Sequence, residues 1–156
     1  MLTVVRIKII FGRSSKLVGL LIRFFDISPW SHVAIYDEGN GVVYESVGMR
    51  YKGRLGRRKG VIKTDINDFK KRYSAWRVKE VWTDNELWRD DCERMVSGKV
   101  QYDFSATVGA LWIFRLLRIE LGSKHAFNCS EFVNAIARRF INSYSATVAD
   151  WHRLSK

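Results

Sequence analysis

Cysteine is nearly missing from this sequence: Cys92 and Cys129 are the only two in 156 residues. They could close one disulfide, yet a chain long enough to bury a full core does not need that staple. No CxxC pair and no HExxH helix occurs, so the usual zinc patterns are missing. Gly53, Gly56 and Gly60 match neither a phosphate loop nor a dinucleotide fingerprint, and no metal or cofactor is expected. Acidic residues are also few, 16 against 27 lysines and arginines, for a formal charge of +11. That balance attracts polyanions such as nucleic acid, anionic lipid headgroups or acidic cell-wall polymers, without choosing among them; a solvated basic face explains it equally well. Long uncharged apolar runs are lacking too. The opening MLTVVRIKII carries Arg6 and Lys8 and is followed by no small-residue cleavage site, so it reads as a first strand rather than a signal peptide. Residues 104–121 are interrupted by Arg115, Arg118 and Glu120, which favours a buried or membrane-touching helix over a bilayer span. The expectation is a protein made in the cytoplasm, its final site left open.

What is present fits one domain over residues 1–156, since two cores would be crowded at this length. Residues 3–10 read as a strand. Ser14 and Ser15 can cap a helix over 16–25, in which Leu17, Leu20, Leu21, Phe24 and Phe25 recur at helical spacing. The only proline, Pro29, falls in a turn before the strand SHVAIYD, and EGNG joins that strand to VVYESV as a hairpin. Residues 50–63 hold seven basic residues, three glycines and no acid, and read as a mobile loop ending in the short strand GVIKTDI. A strand over 75–82, a helix opened by Asp84 and ending near Ser97, the apolar helix, and a last helix from Cys129 to about Ile141 complete an α+β fold: a small, mainly antiparallel sheet packed against helices.

Cys129 lies in AFNCSEFVNAIARRF, where Phe132, Val133, Ile136, Ala137 and Phe140 form an apolar stripe. Asn128 is a suitable N-cap and Glu131 completes a capping box. The thiol is thereby placed in the first helical turn, where the macrodipole favours a thiolate and unpaired N–H groups suit an oxyanion. A buried inert cysteine is the alternative; the cap immediately before the thiol favours the nucleophile.

A thiol nucleophile needs a base. His32 starts a strand after the Pro29-Trp30-Ser31 turn, at a sheet edge. His125, four residues before Cys129, could also face the site, whereas His152 near the C-terminus reads as surface. Spacing prefers His32 without deciding. Glu45 is a candidate to orient the imidazole: it shares a strand face with Val43 and Val47, and a carboxylate there asks for a partner. An exposed edge-strand glutamate is the competing reading. Cys92, between Asp91 and Glu93, reads as structural, because both carboxylates oppose a thiolate. The basic run could bind a phosphate-bearing polymer or be a solvated loop; with Tyr51 its only aromatic, nucleic acid is a poor fit.

Taken in order, LIRFFDISPWSHVAIY, VVYESV, GVIKTDINDF, Tyr102-Asp103 and FNCSEFV resemble the NlpC-type papain-like superfamily in its circularly permuted, YiiX-like branch, over roughly residues 5–140. The order histidine, acceptor, cysteine is that of permuted members. The resemblance implies His32 as base, Glu45 as orienting residue and Cys129 as nucleophile, with Tyr102, Trp30 and Ser31 near the substrate. It also implies a peptide or small-amide substrate, cell-wall derived. The related lecithin:retinol acyltransferase group shares a motif like Asn128-Cys129 but has histidine where this chain has Glu131, which favours the bacterial or phage-like peptidase branch, and with it a bacterial or phage origin, without excluding the lipid branch. The expected activity is amide hydrolysis through a thioester. The alternatives are the same chemistry on lipid esters or acyl groups, or a catalytically silent polyanion-binding module.

Overall fold

The computed structural model describes residues 4–53, 56–101, 128–137, 148, 151 and 152. Among them are five strands and four helices: β1 (Val5–Arg13), α1 (Leu17–Asp26), β2 (His32–Asp37), β3 (Val42–Gly53), β4 (Gly56–Asp65), α2 (Ile66–Arg72), β5 (Ala75–Thr83), α3 (Trp88–Ser97) and α4 (Cys129–Ala137). The strands form one sheet in the order β4-β3-β2-β1-β5, and every pairing is antiparallel. This is the expected α+β architecture.

Period-two alternation sorts the side chains onto the two sheet faces. Ile7, Ile9 and Phe11 of β1 join Val33, Ile35, Tyr44 and Val81 beneath α3 and α4, where Phe132, Val133, Ile136, Val148 and Trp151 complete the main core. The opposite face is smaller: Ile10, Ala34 and Val43 are covered by Phe69 of α2. A strand apolar on both sides suits a central position, and β1 and β2 occupy it.

Several boundaries differ from the sequence reading. Residues 50–53 and 56–63 belong to the paired strands β3 and β4 rather than to a loop: Tyr51 faces Arg58, Lys52 faces Arg57 and Gly53 faces Gly56. Backbone pairing is indifferent to side-chain charge, and β4 is a sheet edge, where basic residues are common. Gly60 has φ of +86°, and a Cβ there would meet the Val100 carbonyl that accepts from the Val61 N–H. Residues 84–87 are a turn rather than the start of α3. Asn85 is held out of a helix by its side chain, which donates to Asp91 Oδ2 (2.8 Å) and the Ile136 carbonyl (2.9 Å). No side chain caps α1; Ser14 Oγ instead accepts from the Lys16 N–H, and Lys16 holds the cap position. The last helix ends at Ala137 among the described residues, and the apolar segment 104–121 lies outside them. No helix among the described residues is long and apolar enough to cross a membrane.

Candidate active site

The capping box at α4 is formed. Asn128 Oδ1 accepts from the N–H groups of Ser130 and Glu131, both at 2.9 Å, and Glu131 Oε2 accepts from the Asn128 N–H at 2.9 Å. Cys129 is therefore the first residue of a helix whose start is fixed from both sides. Trp151 adds a third tie by donating from Nε1 to the Ser130 carbonyl (3.2 Å). The apolar stripe of α4 packs onto β2 and β3, which brings the thiol to the first residue of β2, His32.

His32 lies beside the Cys129 thiol and interacts with it electrostatically, and its Nε2 pairs with Glu45 Oε2 at 3.0 Å. The Val33 backbone N–H adds to the field that favours charge on the sulfur. Glu45 is wholly buried on the α2 side of the sheet. Three groups hold its carboxylate: His32, Thr64 Oγ1 at 2.6 Å, and the guanidinium of Arg72 from α2. The ring of Tyr73 stacks on His32, and Phe69 lies beside both. The structure thus brings Cys129, His32 and Glu45 together at the end of the sheet, with the imidazole bonded to the carboxylate and adjoining the thiol.

The electrostatics follow from these contacts. Burial would lower the His32 imidazole, but the interactions with Cys129 and Glu45 outweigh it and raise its pKa to about 9. Burial would raise the Cys129 thiol, yet His32, with the Val33 N–H, brings it below its ordinary value. Glu45 shows the same contest: burial opposes its charge, while His32, Arg72 and Thr64 hold it below the ordinary carboxylate value. The opposite shifts mean that the charged form of each group favours the charged form of the other. Cys92 differs in kind: it is buried in the core, and burial first, then Asp91 and Glu93, push its thiol up.

The remaining sequence candidates fall in different places. Ser31 Oγ accepts from the Ser14 N–H (2.8 Å) and donates to the Gly12 carbonyl (3.2 Å), so it ties the corner between β1 and β2. Trp30 packs against Phe11 and His152, with ring centroids 6.0 and 6.2 Å away. His152 is accordingly half-buried against aromatic rings rather than a surface histidine, since the turn before β2 closes over it. Tyr102 and His125 lie outside the described residues. The expectation of unpaired N–H groups beside the thiol needs correction: Ser130 and Glu131 are engaged by the cap, and the Phe132 N–H reaches the Asn128 carbonyl. No group of three or more His, Cys, Asp or Glu converges as a metal site among the described residues.

Sequence reasoning missed the floor of the site, which is Thr64, Phe69, Arg72 and Tyr73. A signal existed in TDINDFKKR, where Asp65 accepts from the N–H groups of Asn67 and Asp68, and three basic residues end the turn.

A comparison with protein-family models finds no match, and a comparison with curated protein sequences finds none.

Proposed function

We propose that this chain is a cysteine-dependent amidohydrolase of the circularly permuted papain-like type, with Cys129 as nucleophile, His32 as acid and base, and Glu45 as the residue that orients the imidazole. The observation that carries this reading is the buried His32–Glu45 pair, bonded at 3.0 Å, with the Cys129 thiol beside the imidazole at a capped helix start. A buried carboxylate on Nε2 fixes the ring so that its other nitrogen faces the sulfur.

In the proposed reaction the Cys129 thiolate attacks the amide carbonyl carbon, and the carbonyl oxygen becomes an oxyanion. The cap engages the Ser130 and Glu131 N–H groups, which leaves the Cys129 N–H and the positive end of α4 to stabilise that charge in this proposal. Collapse breaks the C–N bond as protonated His32 gives its proton to the leaving amine, which leaves a thioester. Neutral His32 then takes a proton from water, hydroxide adds to the thioester, and the carboxylic acid leaves as the thiolate and imidazolium re-form. The substrate class is a peptide amide, cell-wall derived by resemblance. The basic β3–β4 hairpin offers attraction to an anionic polymer.

Cleavage of peptidoglycan peptides, with mass spectrometry of the trapped acyl-enzyme, tests the reading. The adduct is expected on Cys129 and turnover is expected to vanish in Cys129→Ala. Amide cleavage that survives Cys129→Ala would overturn it. Turnover of phospholipids but not peptides would transfer the same machinery to an ester substrate.

A further inference from the structure

The segment between β1 and β2 leaves the sheet at Arg13 and returns at His32, so α1 stands at the end of the sheet that carries the thiol site. Among its described side chains, Gly19 is buried against Ser14, and Ile22 and Arg23 are half-buried. Its outer side carries Leu17, Leu20 and Leu21, all exposed, and Leu17 is 71% exposed. Ile27 continues that stripe past the helix end and is 84% exposed.

Ile27 also breaks a backbone rule. It closes α1 with φ of +49° and ψ of +47°, the left-handed conformation in which glycine is the usual occupant and a β-branched residue is strained. A side chain that is both strained and this exposed contributes little within the fold. The conformation ends α1 through bonds from the Ile27 and Ser28 N–H groups to the Arg23 carbonyl, a task glycine would perform without strain, so the exposed isoleucine side chain is the feature left unexplained by the fold.

The charge around the stripe selects the occupant. Residues 13–30 contain Arg13, Lys16 and Arg23 against the single acid Asp26, within a chain of net charge +11. A second copy would bring two strongly basic bodies together over a helix only about 15 Å long, small beside the roughly 800 Å² per partner of stable interfaces. An anionic bilayer complements both features: leucine and isoleucine enter the acyl boundary while the exposed Arg13 and Lys16 lie within reach of headgroup phosphates. We propose that α1 is an interfacial docking helix, which places the Leu17–Leu21–Ile27 stripe in an anionic lipid surface and holds the site end of the sheet against it. This inference does not depend on the hydrolase reading.

Sedimentation with vesicles of phosphatidylcholine mixed with phosphatidylglycerol tests it, with pure phosphatidylcholine vesicles as the neutral control. The full chain is expected to bind the mixed vesicles, weakly at high salt, and to bind the neutral ones poorly. Leu17→Glu/Leu21→Glu is expected to lose at least about tenfold in affinity with an unchanged melting temperature. Ile27→Gly is expected to weaken binding severalfold without lowering the melting temperature, since glycine relieves the strained backbone. Three outcomes would overturn the proposal. The first is no binding by the wild-type chain. The second is wild-type binding by both variants, which would assign attraction to the basic hairpin. The third is a dimer, or a large loss of stability, in which the leucines prove to be covered by protein.

Discussion

Tyr73 lies nearly parallel to the His32 imidazole, 11° between planes and 5.6 Å between centroids, in space that exists because residue 12 is glycine. A Cβ at Gly12 would stand 2.7 Å from the Tyr73 ring. Gly12→Ala must therefore displace the ring that supports His32. The expected cost is about 1–3 kcal/mol, read as a lower urea midpoint, together with slower alkylation of Cys129. Removing the ring in Gly12→Ala/Tyr73→Ala should make the two changes less than additive. Full additivity would mean that the residues do not press on each other.

Alkylation by iodoacetamide against pH reads the thiolate directly. With Cys129 lowered by His32, rapid labelling is expected well below the range of an ordinary thiol, and His32→Ala should move the profile upward. Cys92 should stay unlabelled in the folded protein, because burial and two carboxylates hold it protonated. A profile unchanged by His32→Ala would show that the pair does not exist in solution.

Amide turnover needs the thiolate and the imidazolium together, so it should rise with the Cys129 ionisation and fall as His32 loses its proton near pH 9. Stability carries the same sign. Because folding raises His32 above its ordinary 6.5, its contribution is complete below that value and is lost as pH rises through about 9. A melting temperature that climbs through that window in wild type, relative to His32→Ala, would contradict the assignment.

Arg72→Met removes the cation from a wholly buried carboxylate, and Arg72 itself is only 18% exposed. A loss on the order of 3 kcal/mol is expected near neutral pH. Folding lowers Glu45, so its ionised form stabilises the fold above its ordinary value of 4.5, and that stabilisation disappears as pH falls through the folded value. The gap between wild type and Arg72→Met should accordingly narrow in acid. A constant gap would place the role of Arg72 in packing alone.

Asn128→Asp separates the cap from its charge. Aspartate accepts the Ser130 and Glu131 N–H groups as well as asparagine does, so stability should change little. A new anion beside the thiol should raise its pKa and shift the alkylation profile upward. Asn128→Ala should instead cost about 1 kcal/mol in thermal or chemical denaturation.

Those parts of the site that depend on neighbours in sequence could be read without coordinates. Asn128 and Glu131 are three apart, so their reciprocal bonds are a local pattern, and the alternation Val43-Glu45-Val47 already placed a carboxylate on an apolar face. Arg72 and Tyr73 were not legible, because α2 is seven residues long and Phe69 is its one buried side chain. A periodic signal needs more turns than that. The basic run of 50–63 misled through composition, since charge says little about pairing at a sheet edge. Asp84 looked like a cap, but the turn after it is decided by Asn85 and the Ile136 carbonyl, a contact across 51 residues.

The histidine at the start of β2 and the cysteine at the start of α4 lie most of the chain apart, and among the described residues the imidazole beside Cys129 comes from β2. On the proposed reading a half-folded chain therefore carries an ordinary, sluggish thiol, and the reactive one comes into being only when α4 docks on the sheet. Thiol reactivity is in this sense a clock for the completion of folding. It would also serve as a safeguard, since the chain could attack nothing, including its own ribosome-bound neighbours, before it is whole.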